Sequence, residues 1–454
     1  MEMELSESAG NLGGIGAKTR RANLKQADNG AIGAAEHWSG LRIVIVGLCF
    51  LLNAIDGMDV VIMSYIAPVL SADWQVSPET LGMVFSASLA GMVLGCFFVA
   101  PLADRWGRRP LIIIAMSAIT ACMILSGFAR SLTELVALRF IIGIWIGAIL
   151  ASMAALAAEF APTKQKALGV AIMNAGYPLG AVFTGLALAP LLPHYGWHMM
   201  LLGAGIISLV IMPLLFVFMP ESIDFLVRRQ PKNALERVNK VLARLGEAPI
   251  NRLPPRAETS GSFNFGAVFH PSRLRATVAL WIGIFMGFMS LYFVISWITK
   301  LAAGAGLSVE NAIYVGAIMN FGAFLGTVAM GKLSNIFPLQ RVGAVFLTVA
   351  AAMLVVFGTV AMPLPVILAN AFVMGMAIYG GFNSFYGLAA LLYPAAVRST
   401  GIGWAMGAGR FGAVVGPTLG GVLIGAGASL STVMIVFAVP LLVAAVCALF
   451  ASPK

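Results

Sequence analysis

The chain has 454 residues, of which 60% are hydrophobic and only 10% are charged. Soluble domains carry about 25% charged residues, so this composition excludes an ordinary soluble protein and indicates an integral membrane protein. The net charge of +10 comes from Lys and Arg in short loops and tails. That distribution is typical of membrane proteins and does not indicate binding of nucleic acid.

Apolar stretches of about 20 residues, long enough to cross a bilayer, alternate with short polar segments and predict twelve transmembrane helices. In the first half these are 42–70, 78–101, 111–129, 132–158, 166–191 and 198–219. In the second half they are 274–300, 308–330, 341–361, 363–391, 400–426 and 430–451. The predicted fold class is therefore all-α and integral to the membrane, with two pseudo-symmetric six-helix bundles.

The polar segments outside these spans predict the domain organisation. Residues 1–41 are rich in Gly and Ala with scattered charges and lack the apolar core of a signal peptide, so we expect a disordered cytoplasmic tail. Residues 220–273 are the one long polar segment between spans and predict a cytoplasmic linker. It separates an N-terminal bundle over 42–219 from a C-terminal bundle over 274–454.

The basic residues predict the orientation. When both termini are cytoplasmic, most of the 28 Lys and Arg fall on the cytoplasmic side, as the positive-inside bias requires. We therefore expect a multi-pass protein of the cell membrane, the plasma or inner membrane, with the basic linker in the cytoplasm. We further expect a monomer.

The two halves resemble each other in sequence. Gly169 and Gly180 recur at the same spacing as Gly401 and Gly412. Other matching positions are Pro162 and Pro394, Lys166 and Arg398, Ala181 and Ala413, and Val182 and Val414. A parallel repeat of two six-helix halves is a transporter architecture, with substrate and ion sites near the midplane between the halves.

Two carboxyl groups, those of Asp56 and Asp59, lie within the first predicted span. A spacing of three places both side chains on one face of a helix. Ionisable groups at membrane depth are costly and by default mark an ion, proton or substrate pathway. Apolar surroundings and a neighbouring carboxylate both favour the protonated form of a carboxyl. We interpret the pair as a proton-coupling site; two structural, hydrogen-bonded carboxyls are the alternative.

Arg139 in the fourth span is a candidate partner for these carboxyls. With a rise of about 1.5 Å per residue, Arg139 and Asp59 come within about 5 Å of the same depth. An Arg keeps its charge and is costly without a partner at that depth. The hypothesis is that Arg139 pairs with Asp59 or Asp56 and takes part in proton coupling. A static packing ion pair is the alternative.

Arg410 lies about 15 Å into the eleventh span, where the C-terminal half offers no acidic residue at matching depth. A planar guanidinium pairs with a carboxylate through two parallel hydrogen bonds. We therefore predict that Arg410 binds the carboxylate of an anionic substrate; backbone carbonyls or the first-span aspartates are the alternative partners. Polar and aromatic side chains in other spans are candidate contacts to the rest of the substrate: Asn174, Tyr177, Trp297, Asn320, Tyr379, Asn383 and Tyr386.

The loop over residues 101–110 combines a Gly turn with one Asp and several cations. Its arginines can hold the C-termini of neighbouring helices while its Asp caps or pairs, which is typical of a latch. The residues that we expect in such gating contacts are Asp104, Arg105, Arg108, Arg109, Glu159 and Arg398. The loop resembles the signature loop of the major facilitator superfamily. A degenerate second copy, residues 331–335, lacks the Asp-Arg pair and predicts a weaker latch in the second half.

Within that superfamily, residues 56–59 (Asp-Gly-Met-Asp) resemble the first-helix motif of the aromatic acid:proton symporters. Residues 393–401 and 409–417 are similar to the same family, and the resemblance covers residues 42–451. It implies proton-driven uptake of aromatic carboxylates such as benzoate or hydroxybenzoates by alternating access, with protons, the substrate and the lipid bilayer as partners.

The sequence offers no phosphate-binding loop, catalytic triad or metal-ligand spacing, so we expect neither an enzyme nor a bound cofactor or metal. The proton gradient would be the energy source. Two alternatives stay open: a proton-coupled transporter of sugars or drugs, and a membrane sensor that transports nothing. A neutral or cationic substrate would leave Arg410 unexplained.

Overall fold

A computed structural model describes residues 32–33, 37–255, 268–394 and 397–451. Most of the predicted tail over 1–41 and part of the linker over 220–273 fall outside the described residues. Arg398 lies within a helix, but its side chain is outside them as well, so its role in gating stays a prediction.

The described chain is built from helices and contains no strand. The N-terminal half comprises α1 (Gly40–Asp73), α2 (Pro78–Trp106), α3 (Arg108–Ser126), α4 (Leu132–Phe160) and α5 (Lys166–Phe218). Two short linker helices follow, α6 (Ile223–Arg229) and α7 (Ala234–Leu245). The C-terminal half comprises α8 (Leu274–Gly304), α9 (Val309–Leu333), α10 (Leu339–Thr359), α11 (Leu364–Leu392), α12 (Arg398–Gly425) and α13 (Leu430–Phe450).

Among the described residues, 11 helices are long and apolar enough to cross a membrane. Helix α5 supplies two of the predicted spans, because Gly196 breaks it with φ 73° and ψ 170°. Only Gly adopts such a conformation without steric strain. The twelve predicted spans and the all-α membrane fold are thus confirmed. The prediction of a loop between the fifth and sixth spans is wrong, since the two arms of α5 meet directly at Gly196.

The two ends of the bundle differ in their connections. We call the end with residues 74–77, 127–131, 305–308 and 426–429 the far end, and the opposite end, with residues 103–107 and the linker, the linker end. Four helices that start at the far end, α2, α4, α9 and α13, are capped by serines whose hydroxyls accept a hydrogen bond from an otherwise unpaired backbone N–H. The capping pairs are Ser77 with Thr80, Ser131 with Glu134, Ser308 with Asn311, and Ser429 with Thr432.

Small residues set the distance between helices in the same way in both halves. A Cβ on Gly143 of α4 would lie 1.9 Å from the Ser88 carbonyl oxygen of α2. A Cβ on Gly375 of α11 would lie 1.9 Å from the Met319 carbonyl oxygen of α9. Gly143 therefore serves close helix packing, and the equivalent contact in the other half follows the sequence repeat.

The two halves meet closely at the far end. Ser64 of α1 donates a hydrogen bond to the Thr299 hydroxyl of α8 at 3.4 Å, and Lys300 donates to the Ser71 hydroxyl. Ser86 of α2 donates to the Val414 carbonyl oxygen of α12 at 2.7 Å. These polar contacts join the halves across the interface on the far-end side.

The interface between the halves is open toward the linker end. Tyr386 of α11 interacts electrostatically with Arg410 of α12, yet 43% of its surface is exposed. Asn174 of α5 is exposed as well. We call the space between the halves around Tyr386 and Arg410 the central crevice.

Candidate functional site

Gly57 determines how α1 presents its two carboxyls. A Cβ at this position would lie 2.1 Å from the Tyr177 carbonyl oxygen, so the backbones of α1 and α5 touch there. Asp59 contacts α4, whereas Asp56 interacts with groups of the C-terminal half. The Asp-Gly-Met-Asp motif therefore places its two carboxyls in different surroundings.

Asp59 forms a buried ion pair with Arg139. The Arg139 Nη1 atom donates to Asp59 Oδ1 at 2.6 Å, and the two side chains are 0% and 1% exposed. Arg139 Nη2 also donates to the Ser126 hydroxyl at 3.1 Å. The structure thus brings together the two residues that helix rise places at one depth. The role of this ion pair in proton coupling stays a prediction.

Asp56 has no such partner. It is 5% exposed, and its Oδ1 atom has no hydrogen-bond partner. Its carboxyl interacts electrostatically with Asp59 and, across the central crevice, with Arg410. Because a buried ionised carboxylate needs hydrogen bonds or a counter-charge, this group is poised to take up a proton or to draw Arg410 toward it.

Arg410 lies on α12 in the central crevice. Its Nη1 atom donates to the Met92 sulfur of α2, and a thioether is only a weak acceptor. Among the described residues, no carboxylate lies within ion-pair distance of its guanidinium. The guanidinium therefore has donors available for a substrate carboxylate.

An aromatic wall lies beside Arg410. It consists of Phe288 and Tyr292 on α8 and of Phe382 and Tyr386 on α11. Ring centroids are 5.7 Å apart between Phe288 and Tyr292, 4.3 Å between Phe288 and Phe382, and 6.0 Å between Phe382 and Tyr386. Tyr292 and Tyr386 interact electrostatically with Arg410. A planar ring bound at Arg410 would find stacking or edge-to-face partners on this wall.

The predicted residues Tyr177 and Tyr379 lie in the crevice near Asp56. Each interacts electrostatically with Asp56 and Tyr292, and their phenol groups approach each other. Neither hydroxyl has a hydrogen-bond partner of normal geometry. Tyr65 interacts electrostatically with Tyr379 and donates to the Ala181 carbonyl oxygen at 3.2 Å.

Among the other predicted contacts, two amides are already engaged. Asn383 donates to the Thr327 hydroxyl at 2.9 Å, and buried Asn320 donates to the Gly316 carbonyl oxygen at 2.9 Å. The Asn320 Oδ1 atom stays without a partner, so this side chain keeps one free acceptor. Asn174 is exposed one turn from Tyr177.

Trp297 lies apart from this group. It is 0% exposed, and its indole nitrogen donates to the Pro417 carbonyl oxygen at 3.0 Å. Its ring meets the edge of Phe85 with centroids 5.3 Å apart. The structure therefore places Trp297 in the packing between α2, α8 and α12 near the far end, and does not bring it to the central crevice.

The predicted gating residues form a network at the linker end of the N-terminal half. Arg108 pairs with Glu159 at 2.8 Å and with Asp224 of the linker at 3.5 Å. Glu159 also accepts a hydrogen bond from the Ser222 hydroxyl at 2.7 Å. Arg108, Glu159 and Asp224 line a cavity of 490 Å³ there. These contacts join α3, α4 and the linker.

The remaining loop residues make fewer side-chain contacts. Arg109 donates to the Phe216 carbonyl oxygen at 2.8 Å. Asp104 and Arg105 are exposed, and Asp104 accepts a hydrogen bond from Arg229 only through its backbone oxygen, at 2.8 Å. Their roles in gating stay predictions.

These sites include residues that the sequence analysis did not single out, among them Phe288 and Phe382 of the aromatic wall. Tyr292 interacts electrostatically with Arg410, and the Met92 sulfur accepts a hydrogen bond from it. Glu221 caps α3 by accepting the backbone N–H groups of Arg108 and Arg109 at 2.9 and 3.2 Å. The spacing of four between Phe288 and Tyr292, repeated between Phe382 and Tyr386, was a usable signal because such residues share a helix face. No such signal marked Met92, because its spacing from other apolar residues is the same as that of residues that pack helices together.

Comparison with known proteins identifies the family. A family model of the Major Facilitator Superfamily matches residues 49–394. The chain belongs to this superfamily. It is accordingly a multi-pass membrane transporter and not an enzyme. Among the described residues, no group of His, Cys, Asp and Glu could hold a metal ion.

Relatives with similar sequences are named as transporters of aromatic acids. The chain is 34% identical to the 4-hydroxybenzoate transporter PcaK of Pseudomonas aeruginosa, over 87% of this chain and 89% of that protein. It is 31% identical to a gallate transporter of Pseudomonas putida, with 91% of each chain covered. It is 30% identical to a benzoate transport protein of Acinetobacter baylyi, over 89% and 87%.

A solved structure shares the fold. The partially occluded inward open conformation of the xylose transporter XylE from Escherichia coli matches with a TM-score of 0.70, covering 90% of this chain and 97% of that chain. The sequence identity is 18%, so this likeness concerns the fold alone.

Proposed function

We propose that this transporter is a proton-coupled importer of aromatic carboxylic acids that works by alternating access. The observation that carries the proposal is Arg410, which faces an aromatic wall without a carboxylate partner among the described residues. A guanidinium that can form a bidentate pair, next to aromatic rings, suits a ring-bearing carboxylate. The names of the relatives support the same substrate class.

The charges near the midplane support coupling to one proton. In the described part of the crevice and its surroundings, Asp56 and Asp59 stand against Arg139 and Arg410. When all four are ionised, their formal charges cancel. A substrate carboxylate adds one negative charge, which is costly in a site of low dielectric. Uptake of one proton restores neutrality, so both the empty and the loaded carrier reorient without net charge.

Asp56 is the group that we assign to this proton. Asp59 is held by Arg139 at 2.6 Å, whereas Asp56 has an unpartnered oxygen and interacts with Arg410. Ionised Asp56 and the substrate carboxylate compete for the same guanidinium. Substrate binding therefore favours protonation of Asp56, and loss of the proton favours release of the substrate; this reciprocity is required by linkage.

The contacts between the halves support a direction for the cycle. We place the linker end in the cytoplasm, following the distribution of Lys and Arg. The far-end contacts of Ser64 with Thr299 and of Lys300 with Ser71 then close the outer side, and the exposed Tyr386 lies on the inner side. This arrangement suits the state that releases substrate into the cell. One chain supplies both walls of the crevice, which supports function as a monomer; we further propose that it works in the cell membrane with the proton gradient as its energy source.

Transport by purified protein in liposomes tests the proposal. Labelled 4-hydroxybenzoate and benzoate are offered with the outside more acidic than the inside, and labelled xylose and a lipophilic cation are offered in parallel. We expect accumulation of an acid above its equilibrium distribution, abolished by a protonophore. Accumulation of xylose or the cation alone would instead support a sugar or drug transporter, and no transport of any compound would support a sensor.

A further inference from the structure

Two phenol hydroxyls in the central crevice have no partner except each other, and this inference rests on the proposed function. The oxygens of Tyr177 and Tyr379 are buried and accept or donate no hydrogen bond of normal geometry. A buried polar group without a partner is destabilising, and nearly all such groups in folded proteins find one. Both hydroxyls face the crevice, since both interact with Asp56 and Tyr292.

The position of these hydroxyls relative to Arg410 is defined by α11. Tyr386 interacts with Arg410, and Tyr379 lies two helical turns, about 10 Å, farther toward the far end on the same face. Tyr292 and Asp56 are near both groups, because they interact with Arg410 as well as with Tyr177 and Tyr379. A single aromatic ring whose carboxylate binds Arg410, and which extends along α11 toward the far end, would bring its opposite edge to the two tyrosines.

We propose that Tyr177 and Tyr379 recognise a hydroxyl group on the ring carbon opposite the carboxylate, so that the preferred substrate is a para-hydroxylated aromatic acid. Phenol hydroxyls both donate and accept, so one tyrosine can accept from the substrate hydroxyl while the other donates to it. With an unsubstituted ring the two hydroxyls have only each other, and one O–H donor stays unpaired. Sites that hydrogen-bond a substrate hydroxyl discriminate strongly against the analogue that lacks it.

The first part of the test compares substrates of the wild-type protein. Uptake of 4-hydroxybenzoate, 2-hydroxybenzoate and benzoate is measured in liposomes under one imposed pH gradient. We expect kcat/KM for 4-hydroxybenzoate to exceed the values for benzoate and 2-hydroxybenzoate by about tenfold or more, the effect of one unpaired buried polar group. Equal values for 4-hydroxybenzoate and benzoate would overturn the inference and leave the proposed function intact. Transport of none of the acids would overturn both.

The second part uses Tyr177→Phe and Tyr379→Phe, which remove only the hydroxyls. Each variant should lower the preference for 4-hydroxybenzoate over benzoate by about tenfold, mainly by reducing uptake of the hydroxylated acid. Thermal unfolding in detergent shows whether the variants are folded. Tyr195→Phe, at a ring 60% exposed near the far end, is the matched control and should keep the wild-type ratio. Unchanged ratios in both crevice variants would overturn the assignment.

Discussion

Asp59 and Arg139 join α1 to α4 through an ion pair of 2.6 Å in which neither side chain is more than 1% exposed. Each partner offsets a charge that would otherwise stand unpaired in a medium of low dielectric. Asp56, one turn away on α1, interacts with Arg410 of the other half. The two carboxyls of the first-helix motif thus have different roles. Asp59 stabilises the N-terminal half, and Asp56 interacts with the C-terminal half.

The ion pair predicts non-additive effects on stability. Asp59→Asn or Arg139→Gln alone leaves one buried charge without its partner, and breaking a buried pair in this way costs about 3–5 kcal/mol. The double variant removes both charges and should recover part of that loss. Thermal unfolding in detergent measures the effect: we expect the double variant to have a higher Tm than either single variant. A double variant whose loss equals the sum of the two single losses would show that the charges act independently.

The proposed binding of the substrate carboxylate by Arg410 predicts that a positive charge alone is not sufficient at this position. Arg410→Lys keeps the positive charge but loses the planar fork that binds both carboxylate oxygens. We expect KM for the aromatic acid to rise by tenfold or more. Uptake kinetics in liposomes measure this change, with Arg130→Lys, in the far-end loop, as the control of equal chemistry. Equal KM values for wild type and Arg410→Lys would contradict the proposal that Arg410 binds the substrate carboxylate.

The linker-end network predicts an effect on turnover and not on substrate affinity. Glu159 accepts hydrogen bonds from Arg108 at 2.8 Å and from Ser222 at 2.7 Å, so Glu159→Gln leaves the Arg108 charge with Asp224 alone. Because this network lies outside the central crevice, we expect kcat to fall a fewfold while KM stays within about twofold. Exposed Glu236 on α7 supplies the control Glu236→Gln. A raised KM with an unchanged kcat would argue for a binding role instead.

The far-end contacts predict a reversible block. The hydroxyls of Ser64 and Thr299 lie 3.4 Å apart across the two halves, so cysteines at these positions should form a disulfide that prevents the far end from opening. Oxidation of the double-cysteine variant should abolish uptake, and reduction should restore it. Each single-cysteine variant treated with the same oxidant controls for the native cysteines. Full uptake by a protein shown to be cross-linked would mean that the far end does not need to open at this contact.

Much of this fold was predictable because a membrane makes span length and hydropathy informative. Helix rise also predicted that Arg139 and Asp59 share a depth. Hydropathy says little about how each helix is rotated about its own axis, because residues that face lipid and residues that face the other half are both apolar. For that reason Tyr379, in the crevice, and Trp297, in helix packing, were indistinguishable in the sequence. The direction of Asp56 also depends on the contact between Gly57 and α5, a tertiary feature that the motif alone does not give.

Coupling of one proton to one acid anion through Asp56 is tested most directly by separating the pH gradient from the membrane potential in liposomes. Wild-type accumulation should follow the pH gradient and be indifferent to the potential, because the cycle carries no net charge. Asp56→Asn should lose accumulation driven by the pH gradient and respond to the potential, which acts on one moving charge with about 2.3 kcal/mol per 100 mV. Accumulation by Asp56→Asn that still follows the pH gradient would contradict the account.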